Sequence, residues 1–522
     1  MMGVAIFLAS LLFTPAGVTI FIPGDARLHL LNASRMLDGE AIYRDFFQFT
    51  TPASELVYLV LFKLFGQRAW IPNAMVLVVG LALVWLSVAI SRDLLHGRAR
   101  FLPGLLFITI PFFHGLDPSH NWFSTLLVLT ATALAMEKRS SWRVAAVGTL
   151  CGLAAFFTQT RGLLAYIGFA IFLMWEHRRK GQDRRVLMRG EACLAVSFIS
   201  TVVITNAYFA WNAGLSRFLE STVTFVIRYY PNSVLGNTLG AYLGSPPGLR
   251  HGYGLPWIIA YLSVHILVPG AYLLFSVRYW QESRRQPEHP WDRLMLINIT
   301  GLFLFLSVAP APSYFRLCVV SLPALILFVW LLTPRKKLEH ALVGLLWMLA
   351  VLMAAVDIQH VQRHVSGYLD LPSGRTAFLQ PNDYELFKWL SEHTRPGEFF
   401  LEANWANTYV ALGLRDPAPV PFFIQSDYTR PEQVRATITA LERRRVRFVL
   451  WSLGLDIPQN GSGAGDHLGP LRAELRARYH VIKSFADGDQ VWERSDWHDV
   501  NVPTSGNLPG VVEQDEIKES RH

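Results

Sequence analysis

The sequence predicts a mainly α-helical polytopic membrane protein, with about eleven transmembrane helices and a C-terminal soluble α/β domain. Its 522 residues are 52% hydrophobic and only 16% charged, and the mean hydropathy is +0.29. This composition lies outside the range of ordinary soluble proteins, so most of the chain is expected to lie in lipid. Near residue 378 the long apolar runs give way to short alternating segments, which indicate a soluble domain.

The predicted spans follow from the bilayer, whose hydrocarbon core requires about 20 apolar residues per helix. The first run, from Gly3 to Ile22, has no basic segment at its start and no convincing cleavage site of small residues. We therefore expect a retained span rather than a signal peptide. The predicted spans are residues 3–22, 70–91, 101–116, 121–137, 143–160, 162–176, 191–211, 255–278, 293–310, 317–333 and 339–356.

The basic residues predict how these spans are oriented. Connections that are rich in Lys and Arg face the cytoplasm, and here every second connection is basic. The first loop and the C-terminal domain are therefore expected on the extracytoplasmic side. The formal net charge of +8 then reflects topology rather than a nucleic-acid-binding patch, and no nucleic acid is expected as a partner. The basic clusters are Arg92, Arg98 and Arg100; Lys138, Arg139 and Arg143; Arg178 to Arg189; Arg278, Arg284 and Arg285; and Arg335, Lys336 and Lys337.

The chain is expected to divide into three parts. Residues 1–356 form the transmembrane domain, residues 357–495 form the soluble α/β domain, and residues 496–522 form a disordered tail because they lack apolar periodicity. In the soluble domain we predict helices at 383–393, 408–414, 431–444 and 471–479, strands at 398–402, 420–424 and 447–451, and a strand or hairpin at 481–494.

The first loop, residues 23–69, is the stretch around which the rest is organised. Its apolar run at 56–65 is too short to cross a bilayer and contains Lys63, so we expect an interfacial helix there and another at about 26–37. Titratable side chains are dense in this loop, which indicates a reaction site at the lipid surface. They are Asp25, His29, Asp45 and Glu55.

Short motifs in this loop resemble those of a known superfamily. They are Gly24-Asp25-Ala26, Met36-Leu37-Asp38-Gly39, Ile42-Tyr43-Arg44-Asp45-Phe46, Thr51-Pro52 and Leu64-Phe65-Gly66. Together they resemble the first loop of GT-C membrane glycosyltransferases, in particular the aminoarabinose transferase and protein mannosyltransferase branches, which are like glycosyltransferase family 39. In layout, the resemblance covers roughly the first 330 residues.

The resemblance implies transfer of a sugar from a polyprenyl-phosphate donor to an extracytoplasmic lipid, glycan or protein acceptor. It implies that Asp25 is the catalytic base, and a carboxylate at the lipid boundary can be tuned towards the working pH by partial burial. The alternative is that Asp25 only caps a helix or turn after Pro23 and Gly24. With this donor, the resemblance implies a bacterial inner membrane with the active site on its extracytoplasmic side.

Two isolated arginines are candidates for binding the donor phosphate. Arg161 and Arg316 each lie at the outer end of a predicted span, and a guanidinium matches phosphate oxygens in a bidentate way. Each could equally extend to lipid headgroups. In related enzymes a basic residue at the outer end of a middle span contacts the donor phosphate, and the resemblance therefore favours Arg161.

A divalent cation is a further expectation. Asp117 and His120, with Asp25 and His29, carry oxygen and imidazole ligands that suit Mg²⁺, Mn²⁺ or Zn²⁺. Their spacing matches no metal motif, and a hydrogen-bonded turn is the alternative. Asp45 and Glu55 are candidates for acceptor or metal contacts, or else simply solvated residues of the loop.

Two other functions fit an integral membrane protein. The first is a transporter or flippase of glycolipids, and the second is a non-catalytic assembly protein of the cell envelope. Transporters usually bury ionisable residues at the middle of the bilayer. Here the interiors of the predicted spans are nearly free of charge and the polar groups gather at one face, which favours an enzyme.

Overall fold

The computed structural model describes residues 1–137, 140–181, 183–230, 239–244, 255–286, 289–333, 339–456 and 465–497. The long apolar runs become helices, because a helix satisfies its backbone hydrogen bonds within one segment and lipid offers no other partner. The predicted disordered tail lies almost wholly outside the described residues. The same holds for the basic residues 138–139 and 335–337.

The helices of the first 363 residues follow the predicted spans closely, apart from the first. From the N-terminus to residue 213 they are α1 Met2–Leu12, α2 Asp25–Leu37, α3 Ala53–Phe65, α4 Trp70–Ser91, α5 Leu102–Phe107, α6 His120–Ala135, α7 Ser141–Phe157, α8 Gln159–Lys180 and α9 Arg184–Ala213. After these come α10 Leu215–Leu219, α11 Phe225–Arg228, α12 Leu239–Tyr242, α13 Leu255–Glu282, α14 Trp291–Leu306, α15 Tyr314–Val319, α16 Leu322–Leu332 and α17 Glu339–Arg363.

Within the described residues, four helices are long and apolar enough to cross a membrane on length and composition: α4, α9, α13 and most of α17. Helices α1, α7 and α16 are apolar but shorter. The mainly α-helical character is confirmed, whereas the number of eleven spans stays a prediction. The proposed domain boundary after residue 356 falls inside α17, which continues to Arg363.

The first predicted span is shorter than expected. We predicted a helix over 3–22, but α1 ends at Leu12 and the next residue, Phe13, is extended. Pro15 cannot donate a backbone hydrogen bond, and Gly17 has a φ of +74° that ends helical geometry. With 11 residues, α1 is about 17 Å long, which is little more than half the hydrocarbon thickness.

Small residues allow the helices before and after α8 to approach closely. A Cβ at Gly148 would lie 2.4 Å from the carbonyl oxygen of Leu194, and a Cβ at Gly152 would lie 2.6 Å from the Cβ of Thr201. Both contacts join α7 to α9. Close packing at small residues is how helices associate in lipid, where no hydrophobic effect drives them together.

The C-terminal region forms two small sheets with helices beside them. The elements are β1 Thr19–Ile20, β2 Gly367–Leu371, β3 Gly374–Phe378, α18 Pro381–His393, β4 Phe400–Glu402, α19 Tyr409–Leu412, α20 Pro431–Arg443, β5 Phe448–Ser452, α21 Gly469–Arg478, β6 Tyr479–Ser484 and β7 Asp489–Arg494. The first sheet has the order β1-β3-β2 and the second has the order β4-β5-β7-β6. Within the second sheet β4 and β5 are parallel and the other pairs are antiparallel.

For this region one predicted element was wrong and one observed element was not predicted. Residues 420–424 are not a strand, because Pro419 and Pro421 lack the amide hydrogens that a ladder requires. The hairpin of β2 and β3 was missed, although Pro372, Ser373 and Gly374 are typical turn residues. Its β3 pairs in parallel with β1, so a strand near the N-terminus completes a sheet near the C-terminus.

The first loop is enclosed between the membrane helices and the C-terminal region. Both predicted interfacial helices form, as α2 and α3, but most side chains of α2 are buried. The Arg35 guanidinium donates to the Ala418 carbonyl oxygen at 2.7 Å and to Asp416 at 3.2 Å. On the other side, the Thr51 hydroxyl donates to the Ala155 carbonyl oxygen of α7 at 3.0 Å. The loop is therefore held from both sides.

We predict that the C-terminal region is extracytoplasmic and that the start of α7 is cytoplasmic. In a Cys193→Ser background, where the other two cysteines are buried, Ser391→Cys in α18 should react with an impermeant maleimide in intact cells. Ser141→Cys should react only after the membrane is made permeable. Both side chains are exposed, so access depends on sidedness alone. Labelling of both positions in intact cells, or of Ser141→Cys alone, would contradict this topology.

Candidate active site

Asp25 is the first residue of α2, and the residue before it requires glycine. Gly24 has a φ of +133°, and a Cβ there would lie 3.0 Å from the Asp117 side-chain carbon. Asp117 accepts a hydrogen bond from the Ala26 amide at 2.8 Å, so it caps the start of the helix. Within the described part of the chain, the half-buried Asp25 carboxylate accepts no hydrogen bond, which leaves its oxygens available.

Two carboxylates therefore share the N-terminus of α2. Burial raises the pKa of Asp117 to about 7, and the nearby charge of Asp25 acts in the same direction. Asp25 also lies close enough to interact electrostatically with His29, one turn along α2, and with Arg316 of α15. The base predicted from the sequence thus faces both carboxylate and guanidinium groups.

A buried line of three side chains runs from α3 through α2 to α6. The Nδ1 of His29 lies 2.8 Å from Oε1 of Glu55, and the Nε2 of His29 lies 3.0 Å from Nδ1 of His120. Gln48 and Asn32 donate to the same Glu55 oxygen, at 2.7 Å and 3.3 Å. Glu55 is fully buried and His29 is 1% exposed, so this is an interior pair rather than a surface contact.

The pKa values of this pair move in opposite directions. Burial alone would raise the pKa of Glu55, but His29 and Gln48 outweigh it, and the pKa lies below its usual value. Burial alone would lower the pKa of His29, but Glu55 outweighs it, and the pKa lies above its usual value. Both shifts favour the charged pair.

A small cavity, of about 70 Å³, opens beside His120. The first loop contributes Phe49 and Thr50 to its lining, α6 contributes His120, and Arg161 and Arg316 lie on its wall. The structure therefore brings His120 and both predicted phosphate-binding arginines to one cavity. Asp25 is not among the lining residues, but it lies close enough to interact electrostatically with Arg316. The buried pair of Glu55 and His29 reaches the cavity through His120.

The two arginines differ in what they bind. Arg161, 2% exposed, donates to the Asn121 carbonyl and side-chain oxygens and to the hydroxyls of Ser124 and Ser307. These bonds use four of the five donors of a guanidinium, so Arg161 ties α8 to α6 and to the end of α14.

Arg316 is half-buried and is engaged differently. It donates to the Ala311 carbonyl oxygen at 2.9 Å and to the Tyr230 hydroxyl at 2.7 Å. These two contacts use fewer of its donors than Arg161 uses, and its side chain forms part of the cavity wall. Arg316 is therefore better placed than Arg161 to bind an anion in the cavity.

Asp45 lies apart from this site. Its carboxylate accepts from the Ala41 amide at 2.7 Å and pairs with Arg44 at 2.9 Å. It lines two clefts between the first loop and α20, with Phe47 and Arg430 on the wall of one of them. Its carboxylate is therefore not part of the group around Asp25.

The side chains expected to hold a divalent cation do not converge on one. No three His, Cys, Asp or Glu side chains in the described ranges are arranged to hold a metal ion. His29 uses both ring nitrogens on Glu55 and His120, and Asp117 binds the Ala26 amide. The geometry instead matches the hydrogen-bonded turn that the sequence left open.

Several site residues were not found from the sequence. Tyr58 donates to the Pro118 carbonyl oxygen and so fixes the turn before α6. Gln48 and Asn32 support Glu55. Gln48 stands alone among phenylalanines in the sequence, which is a signal for a specific polar partner. Asn32 carries no such signal, because a polar residue in a helix can face either the solvent or the protein interior.

Comparison with known proteins gives a clear result for structure only. No protein-family model matches the sequence, and no curated protein is significantly similar to it. Among solved structures, the chain is similar to ArnT from Cupriavidus metallidurans bound to undecaprenyl phosphate. The TM-score is 0.57 at 12% identity, over 94% of this chain and 96% of that chain.

A second similar structure is the archaeal oligosaccharyltransferase AglB from Archaeoglobus fulgidus, in complex with an inhibitory peptide and a dolichol-phosphate. The TM-score is 0.51 at 11% identity, over 96% of this chain and 74% of that chain. AglB was also solved in complex with Zn and sulfate. ArnT and AglB are both GT-C membrane glycosyltransferases. The resemblance seen in the first loop is therefore confirmed at the level of the fold.

We predict that Arg161 stabilises the helix bundle. Arg161→Met should lower the midpoint of thermal unfolding in detergent, because the Asn121 oxygens and the Ser124 hydroxyl lose a charged donor. Each such bond contributes about 1.5–3 kcal/mol. Arg217→Gln, at an exposed arginine, is the control and should leave the midpoint unchanged. An unchanged midpoint for Arg161→Met would show that this guanidinium does not hold the helices together.

Proposed function

We propose that this protein is an integral membrane glycosyltransferase, which moves a sugar from a polyprenyl-phosphate donor to an extracytoplasmic lipid, glycan or protein acceptor. The observation that carries the proposal is the cavity lined by Arg316, Arg161 and His120 beside the free carboxylate of Asp25. The similar fold of ArnT, which was solved with undecaprenyl phosphate, supports the choice of donor.

In the proposed reaction, Asp25 is the general base. It takes the proton of the acceptor as the acceptor attacks the anomeric carbon of the sugar. Its position supports this role, because the carboxylate is half-buried and unbonded within the described residues, and Asp117 fixes the start of its helix. Arg316, on the cavity wall, lies close enough to interact electrostatically with Asp25.

Arg316 is the proposed ligand of the donor phosphate. Its guanidinium lies on the cavity wall and is oriented by Tyr230 and by the Ala311 carbonyl oxygen. Held in this way, it can place two N–H donors on phosphate oxygens with little loss of side-chain entropy. Arg161 also lies on the wall, but its donors are bonded to protein oxygens, so it contributes positive charge rather than direct contact.

The C-terminal region is proposed to cover the extracytoplasmic side of the site. Arg430 lies over the rings of Phe47 and Phe225, and Tyr428 packs on Phe225 at 5.0 Å, so the region contacts the first loop near the cavity. We place the protein in a bacterial inner membrane with this region outside.

Asp25→Asn tests the proposed base. The amide keeps the shape of the side chain but cannot accept the proton, so the rate of sugar transfer from a radiolabelled polyprenyl-phosphate donor should fall roughly 10²–10⁴-fold. Asp45→Asn is the matched control, since it changes a carboxylate of the same loop outside this site. It should stay near the wild-type rate. Activity within about threefold of wild type for Asp25→Asn would exclude a role as base.

Arg316→Lys and Arg316→Gln test the phosphate ligand. Lysine keeps the charge but loses the planar pair of donors, so we expect weaker binding of undecaprenyl phosphate to purified protein in both variants. The loss should be greater for Gln, roughly 10-fold or more, since a charged hydrogen bond contributes about 1.5–3 kcal/mol. Arg217→Gln serves as control. Equal affinity in wild type and Arg316→Gln would place the phosphate elsewhere.

A further inference from the structure

A second cavity lies at the opposite end of α8 from the site described above. Arg161, on the wall of the first cavity, is near the start of this helix. His177 lines the second cavity and lies about 24 Å further along the helix axis, at about 1.5 Å per residue. The second cavity has a volume of about 270 Å³, and no step of the proposed reaction uses it.

The cavity is formed where the starts of α7 and α9 meet the end of α8. Towards the middle of the bundle α7 and α9 are in contact at Gly148 and Leu194, whereas near their starts they leave a space beside α8. Gly190 of α9 helps to keep this space open. A Cβ at Gly190 would meet only the Leu173 side chain, at 3.9 Å, so a larger side chain there would occupy the cavity.

Several polar side chains of the cavity lack partners within the described part of the chain. The Nδ1 of His177 and the hydroxyl of Ser140 are shielded from solvent and make no hydrogen bond there. The guanidinium of Arg189 lines the same cavity and forms neither a hydrogen bond nor an ion pair with described residues. Because buried polar atoms are usually paired, this wall offers unused hydrogen-bonding capacity to a ligand.

The charge around the cavity favours an anionic ligand. Glu176 is the acidic residue on its wall, and Lys180 pairs with that carboxylate at 2.7 Å. Besides Arg189, the exposed side chains of Arg184 and Arg185 lie at the start of α9 and form no ion pair with described residues. Both α7 and α9 begin at the cavity, and the start of a helix favours negative charge.

Apolar surface continues from the cavity in two directions. A crevice of about 20 Å³ leads into the bundle, shares Val144 and Leu173 with the cavity, and is lined by apolar side chains apart from Glu137 and Arg143. On the outer side, Val186 lines the cavity and is 57% exposed. A small free anion would leave these apolar surfaces uncovered, whereas an amphipathic anion would cover them.

We propose that this cavity binds the headgroup of an anionic glycerophospholipid from the surrounding leaflet. Arg189, the Ser140 hydroxyl and the His177 ring donate to the phosphodiester oxygens, and the glycerol esters with the first methylenes of a chain lie on Val144 and Val186. Basic pockets between membrane helices bind lipid headgroups in this way. With the topology predicted above, this leaflet is cytoplasmic. The inference does not depend on the proposed sugar transfer.

The first experiment compares lipids by thermal unfolding of the full-length protein in a neutral detergent. Phosphatidylglycerol should raise the midpoint, because a ligand that binds only the folded state stabilises it. Phosphatidylethanolamine and phosphatidylcholine, which have no net charge, should raise it less, and water-soluble glycerophosphate should leave it unchanged. No rise with phosphatidylglycerol would overturn the proposal. An equal rise with glycerophosphate would indicate a site for a free anion, and an equal rise with either uncharged lipid would indicate a general lipid effect, so each would also overturn it.

The second experiment fills the cavity without changing any charge. Gly190→Leu should abolish the rise in midpoint that phosphatidylglycerol produces, because the new side chain occupies the space of the headgroup. Gly344→Leu, at an exposed glycine of α17 with open space around it, is the matched control and should keep the full rise. Each variant is compared with itself in the absence of lipid, so a change in its own stability does not affect the result. A full rise in Gly190→Leu would place the lipid elsewhere.

The third experiment distinguishes contact in the cavity from diffuse attraction, and it applies even where Gly190→Leu does not fold. Arg189→Gln should weaken phosphatidylglycerol binding roughly tenfold, because it removes a charge-assisted hydrogen bond. Arg184→Gln removes a charge from the same basic segment outside the cavity lining, and it should weaken binding at most about fivefold. Equal losses in the two variants would show that the segment attracts anionic lipid without a defined site, and would overturn the proposal.

Discussion

The contact between Asp117 and the start of α2 is the constraint on which the site depends. The carboxylate of Asp117 caps the helix at Ala26 and lies so close to Gly24 that a side chain there would collide with it. This contact joins the turn before α6 to the first loop, so it fixes Asp25 relative to His120 and the cavity. Burial raises the pKa of Asp117 to about 7. Keeping this carboxylate ionised near neutral pH therefore costs free energy, which the surrounding packing must offset.

Arg161 and Arg316 illustrate how similar sequence contexts produce different environments. Both are lone cations at the outer ends of apolar runs, and sequence reasoning could distinguish them only by resemblance. In the structure Arg161 donates to oxygens from two segments, α6 and the end of α14, whereas Arg316 has fewer partners within the described residues. The difference comes from which helices are neighbours in space, and hydropathy carries no such information.

The sequence predicted most of the longer helices, because apolar periodicity and turn residues are local signals. It predicted α2 and α3 within a few residues, and it predicted the candidate base at the correct end of α2. It did not predict the line from Glu55 through His29 to His120. That line joins residues 26 and 91 positions apart, and long-range pairing is set by packing rather than by any local pattern. The early end of α1 was missed for another reason. The apolar run continues to Ile22, and its hydropathy predicted a longer helix than Pro15 allows.

The pairing of Thr19 with Thr376 and of Ile20 with Ala377 links sequence neighbours of Asp25 to a sheet that forms only after the last membrane helix is made. During synthesis, the strand next to the first loop must wait for more than 350 residues before its partner exists. The site is thus completed late, and a chain interrupted anywhere before residue 378 would have membrane helices but an unfinished first loop. The C-terminal region therefore shares a sheet with the N-terminal strand, and exchanging it for that of a relative would require exchanging this strand as well.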